Sequence, residues 1–263
     1  MTVRNITPTL ANVLELLELE QPQLVSSEDL ARYAREADVG WSTQLLVRRL
    51  RERGWLLDTG VRGVWEFVPA ARAGAYGSGD RFSQIRAALH RDPGLPLAIA
   101  SESAAFLLGY SSRVPAKEVV AVPRDVSVPP ALRKGRVIRW DGPCKTAEVY
   151  GLPVWTVDTL LVAMSSRPSA YHDWPNVGEW LSVAARDANQ DELRRGLQTQ
   201  RRASWARMAH LLWRAGLEEQ ADQLIMDAPP GKGPFYLGRR QKDGAFDQRF
   251  DVIDSSGMEM TSW

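Results

Sequence analysis

Leu10, Val13, Leu14 and Leu17 recur at helical spacing, with Glu15, Glu18 and Glu20 between and after them. The pattern predicts an amphipathic helix, started by Thr7 as N-cap with Pro8 behind it and ended by Pro22. A second helix is expected after Ser26 and Ser27, where Glu28 and Asp29 would sit on the positive end of its dipole. Leu30, Ala31, Tyr33 and Ala34 form its apolar stripe. A third helix is expected to begin near Val39–Ser42 and to close at Gly54. The runs Trp55–Asp58 and Val64–Val68 read as short strands, and Thr59 to Gly63, with two glycines, as the turn joining them.

Three helices followed by a hairpin, with a short link between the second and third, is the layout of a winged helix-turn-helix. On a wheel of about 100° per residue, Thr43, Leu46, Val47 and Leu50 point inward. Gln44, Arg48 and Arg51 lie opposite, with Trp41, Leu45 and Arg49 on the flank. Four arginines (Arg48, Arg49, Arg51 and Arg53) fall within six positions, and Glu52 alone offsets them there. Residues 1–69 hold eight arginines, no lysine and ten acids, so positive charge is concentrated on this helix rather than spread over the segment. A solvated charged face is the competing reading. Concentration on the helix that would enter a major groove favours DNA. Ser42, Thr43 and Gln44 would then reach base edges, and Leu45 a thymine methyl. Arg48 and Arg49 would meet phosphates or guanine edges, Arg51 and Arg53 would belong to the same DNA-binding set, and Arg62 at the turn would lie near the backbone or minor groove.

Beyond the hairpin, the small-residue stretch 70–80 reads as a linker, which makes 1–69 and 81–263 the expected domains. The second domain opens with a helix over Arg81–His90, then a short strand and a helix from Ser101 to Leu108 closed by Gly109. Strands are expected over Val119–Pro123, Gly135–Trp140 and Ala147–Val157. Helical patterns then cover Val157–Ser165, Val177–Arg186, Asp191–Thr199, Ala203–Ala215 and Leu217–Asp227, and FYLGRR and FDVID read as extended segments. The fold class expected is α+β: a winged helix-turn-helix, then a mixed α/β domain with a helical C-terminal part.

LVRRLRERGWLLDTGVRGVWEFVP resembles the winged-helix start of the AbiEi family of antitoxins. AIASESAAFLLGYSSRVPAKEVVAVPRD, GRVIRW, VYGLPVWTVDTLLVAMSSRPS and GPFYLGRR resemble that family's C-terminal domain, in order. The resemblance implies a non-enzymatic antitoxin of a phage-defence toxin–antitoxin operon, encoded beside an AbiEii-like nucleotidyltransferase toxin. It implies an N-terminal domain that binds operator DNA, as inverted repeats, and represses the pair. The C-terminal domain would counter the toxin without necessarily holding it in a stable complex. Residues 70–263 are near neutral, unlike the strongly basic C-terminal domain typical of the family.

The chain of 263 residues has a net charge of +1, so any nucleic-acid affinity must come from a local patch. From Arg186 to Arg214, seven arginines face three acids. Arg194, Arg195, Arg201, Arg202, Arg207 and Arg214 therefore form a candidate second basic surface, with Arg207, His210 and Arg214 expected on one outward helical face. Cys144 is the one cysteine, which excludes an internal disulfide and fits a reducing cytoplasm. No signal peptide or membrane span is evident. His90, His172 and His210 lack metal-ligand spacing, PPGKGPF lacks the rest of a phosphate-binding loop, and no nucleophile elbow occurs. No metal or cofactor is expected. A nuclease would need an acid followed by a Glu-x-Lys-like pair; Asp141 and Glu148 are candidates, but Tyr150 stands where the lysine belongs. A regulator whose second domain senses a ligand or partner is the main alternative.

Overall fold

The computed structural model describes residues 6–72, 78–238 and 244–260, and the fold is α+β. The chain divides into two compact units. The first comprises residues up to Leu95 together with Ser127–Lys134; the second comprises Pro96–Val126 and everything from Gly135.

The first unit runs α1 (Pro8–Glu20), β1 (Leu24–Ser26), α2 (Ser27–Glu36), α3 (Thr43–Glu52), β2 (Leu56–Asp58), β3 (Val64–Phe67) and α4 (Ser83–Arg91). Thr7 takes the extended N-cap backbone with Pro8 behind it, but its hydroxyl caps nothing. Gln21 ends α1 in the left-handed region, where Pro22 forbids continuation. A full capping box starts α2: the Asp29 amide donates to Ser26 Oγ, and the Ser26 amide donates to Asp29 Oδ2. Ser26 also ends β1, a strand too short for its alternation to stand out in sequence. β1 pairs with β3 and β3 with β2, all antiparallel, in the order β1-β3-β2. Leu10, Leu14, Leu17, Val25, Leu30, Leu46, Leu50 and Phe67 fill the space between helices and sheet, and Trp55 stacks on Phe67.

α4 was expected to open the second domain. Instead it packs on β1 and β3, burying Ile85 and Ala88, so the first compact unit reaches Leu95. Residues 73–77 of the expected linker lie outside the described residues.

The second unit is built on a five-stranded mixed sheet. Its elements are β4 (Ala98–Ile99), α5 (Ser101–Leu107), β5 (Val119–Val122), β6 (Arg136–Arg139), β7 (Thr146–Val149), β8 (Leu152–Trp155) and α6 (Val157–Ser166). The strand order is β6-β5-β4-β8-β7. The single strand expected over Ala147–Val157 is two strands of an antiparallel hairpin. Tyr150 and Gly151, both at positive φ, turn the chain between Val149 and Leu152. A tyrosine is a poor advertisement for a left-handed turn, and the alternation runs on through it.

α7 (Leu181–Asp187), α8 (Gln190–Leu197), α9 (Arg202–Arg214) and α10 (Glu218–Met226) follow, with α6 buried among α5, α7, α8 and α9. The helix expected over Val177–Arg186 is a 3-10 turn at Trp174–Glu179 and then α7. A Cβ on Gly178 would fall 1.8 Å from the Glu259 carbonyl oxygen, so the close approach of the C-terminal segment, not helix propensity, shapes this stretch. β9 (Phe235–Gly238), β10 (Ala245–Asp247) and β11 (Val252–Ser255) form a small sheet in the order β10-β11-β9 that covers α9.

Candidate nucleic-acid interface

The placement of α3 follows from local chemistry. Ser42 accepts a hydrogen bond from the Leu45 amide and caps the helix. Gly54, at φ +71, lets the chain reverse so that the Trp55 amide bonds the Leu50 carbonyl. Leu46 and Leu50 are fully buried, as the wheel required, and Arg48, Arg49 and Arg51 are exposed.

A groove of about 910 Å³ runs between α3 and the β2–β3 hairpin. Thr43, Gln44, Arg48 and Arg51 line its helical wall, and Leu57, Asp58 and Trp65 its sheet wall. Ser27 adds a hydroxyl from the start of α2. Residue typing did not single out Trp65 or Leu57. For Trp65 strand alternation was the available signal, since it shares a face of β3 with Phe67, which packs against the helices; Leu57 pairs with Glu66 on the other face.

The remaining sequence-derived residues are not brought to this groove. Ser42 spends its hydroxyl on the cap, and Leu45 and Arg49 lie outside the groove lining. Arg53 is half-buried, with Nη1 enclosed and without a hydrogen-bond partner. Arg62 is exposed in the hairpin turn, where its carbonyl accepts from Arg91 Nη1 at 2.6 Å. The α3 arginines are not bare: Arg48 and Arg49 approach Glu52 at 3.8 and 3.9 Å, and Arg51 approaches Asp58 at 3.7 Å. These pairs are long and largely exposed, worth roughly 0–1 kcal/mol each and screened by salt.

The second basic surface is corrected. On α9, His210 is 2% exposed; one ring nitrogen lies 2.7 Å from Asp247 and the other 3.1 Å from Asp254. Arg207 donates inward to the carbonyls of Tyr236 (2.7 Å) and Ser165 (3.1 Å), and burial lowers its pKa. Arg214 binds Asp254 and the Met258 carbonyl. The wheel treated α9 as covered on one side; α6, α7 and α10 cover that side, and the small sheet covers the other. Burial opposes ionisation of Asp254, but hydrogen bonds from His210 and Ser256 outweigh it and hold the carboxyl below its ordinary value. Arg202 donates to the Pro229 carbonyl, Arg194 pairs with Asp227, Arg195 pairs with Glu192, and Arg201 stays exposed.

A second concavity, about 590 Å³, lies within the second unit between Arg113–Lys117 and a wall of Glu102, Arg136 and His172. Arg136 pairs with Glu102 and donates to Ser101 Oγ, a residue held at φ +53. The nuclease candidates do not converge: Asp141 pairs with Arg124, and Glu148 stands exposed on edge strand β7.

Residues 97–214 match the model of the AbiEi antitoxin C-terminal domain. The chain carries an AbiEi antitoxin C-terminal domain. The match begins at β4 and ends with α9, so this AbiEi domain includes the five-stranded sheet and the helices around α6. A search of curated proteins finds no match. Among solved structures, the crystal structure of the RV2827C protein from Mycobacterium tuberculosis is similar, with a TM-score of 0.84 at 23% identity. It covers 97% of this chain, which covers 94% of it in turn. The shared fold therefore extends across both units. No helix among the described residues is long and apolar enough to cross a membrane.

Proposed function

We propose that the first unit is a winged helix-turn-helix that binds operator DNA through the groove between α3 and the hairpin. The whole chain is then a cytoplasmic, non-enzymatic antitoxin and autorepressor that counters a nucleotidyltransferase toxin encoded beside it. The observation that carries the DNA reading is the groove, which places Gln44, Arg48 and Arg51 on one wall opposite Trp65. A phosphate can displace the long Glu52 and Asp58 contacts at small cost, because those pairs are weak in water. Gln44 and Thr43 supply the amide and hydroxyl that base edges require. The antitoxin part rests on the AbiEi domain.

The test titrates purified protein against a duplex from the DNA upstream of its own coding sequence. Arg48→Ala/Arg51→Ala is expected to weaken binding and to reduce the slope of log K against log salt by about 0.9 per lost phosphate contact. Equal affinity and slope in a correctly folded variant would sink the groove reading. Growth rescue against the product of the adjacent gene tests the antitoxin part separately. A regulator that senses a small ligand is the second reading, favoured by the concavity at Glu102, Arg136 and His172. A harmless neighbouring product, together with DNA binding altered by a small molecule in that concavity, would prefer it.

A further inference from the structure

Arg62, Arg91, Arg133 and Lys134 come from three stretches of chain far apart in sequence, and the first unit gathers all three. Arg91, at the end of α4, holds the hairpin turn by donating from Nη1 to the Arg62 carbonyl at 2.6 Å. Gly60, in the same turn, faces both α4 and the 127–134 segment. A Cβ there would stand 3.7 Å from Gln84 Nε2 and 3.7 Å from Ala131 Cβ. Ala131 and Leu132 are buried and anchor the 3-10 turn Pro130–Lys134. The next two residues, Arg133 and Lys134, are exposed. A 3-10 turn advances about 2 Å per residue, so both side chains start within roughly 10 Å of the hairpin turn.

The charge state of these four differs from that of α3. Arg48, Arg49 and Arg51 each have a carboxylate nearby. Among the described residues, none of Arg62, Arg91, Arg133 and Lys134 makes an ion pair with a carboxylate. Four cations gathered near one turn, none of them held in an ion pair, attract a polyanion.

We infer that α4 and the turn 130–134 extend the DNA interface past the α3 groove, with Arg62, Arg91, Arg133 and Lys134 forming a second phosphate-binding track along the hairpin turn. This rests on the DNA reading above and adds the partner's backbone path to it. No helix face is offered to a groove here, so the track contacts phosphates and is indifferent to sequence.

The experiment uses the full chain and two duplexes of equal length, one from upstream of its coding sequence and one scrambled, across about 50–250 mM salt. Arg133→Gln/Lys134→Gln is expected to weaken both duplexes alike. The salt slope falls by about 1.8, and the counterion term alone costs about 8-fold per contact near 0.1 M. Arg133→Lys, which keeps the charge, retains the wild-type slope. An unchanged slope in the glutamine variant, while Arg48→Ala/Arg51→Ala still weakens binding, overturns the second track and leaves the groove standing. Weakening confined to the upstream duplex with an unchanged slope also overturns it, since that marks an effect through the fold. If the wild-type chain binds neither duplex, both readings fail together.

Discussion

Arg207 offers the sharpest contrast between a helical wheel and a packed helix. Replacing it with methionine keeps most of the apolar stem and removes the guanidinium. The carbonyls of Tyr236 and Ser165 then lose charge-assisted donors that reach them at 2.7 and 3.1 Å. The Ser165 carbonyl, in a fully buried residue, loses its guanidinium donor at a cost of about 1–3 kcal/mol, and relief from burying a charge offsets part of that. A net loss of about 1–3 kcal/mol is expected, and in a unit of this size each kcal/mol lowers Tm by about 2–4 °C. Differential scanning calorimetry reads the change, and a DNA titration accompanies it. A lower Tm with unchanged operator affinity is expected, since Arg207 lies outside the first unit. A Tm equal to wild type together with weaker DNA binding would refute it and restore Arg207 to an exposed basic surface.

Leu50→Ala removes a fully buried side chain from α3 and is expected to cost about 2–5 kcal/mol; thermal denaturation matching wild type would show the phasing of α3 to be wrong. Asp254 carries a pH prediction. Its carboxyl lies below its ordinary value when folded, so its contribution is complete above the unfolded pKa of about 3.9 and is lost as pH falls through the folded value. Asp254→Asn should lower Tm near neutrality and flatten the acid limb of a Tm-versus-pH curve; an acid limb as steep as wild type counts against it.

Much of the architecture is set by local chemistry and so was legible in the sequence. The α1 stripe, the Ser26–Asp29 start of α2, the inward pair Leu46 and Leu50, and Gly54 behind α3 each depend on spacing within one or two turns. The order of motifs from Ala98 to Ser169 pointed to the AbiEi domain before any coordinates did. What the sequence left open depends on partners distant along the chain. Tyr150 turns a hairpin because β7 and β8 pair, and Gly178 interrupts a helical pattern because residue 259 passes over it. Arg207, His210 and Arg214 look like a solvated face until the small sheet, assembled from residues after 234, supplies Asp247, Asp254 and carbonyls to bind them. Conversely, Arg133 and Lys134 looked unremarkable in sequence, and packing of Ala131 beside Gly60 brings their segment up to the hairpin turn that carries Arg62. A wheel assigns a residue to a side of its own helix; whether that side meets water or another part of the chain is decided by tertiary packing, which short-range periodicity does not encode.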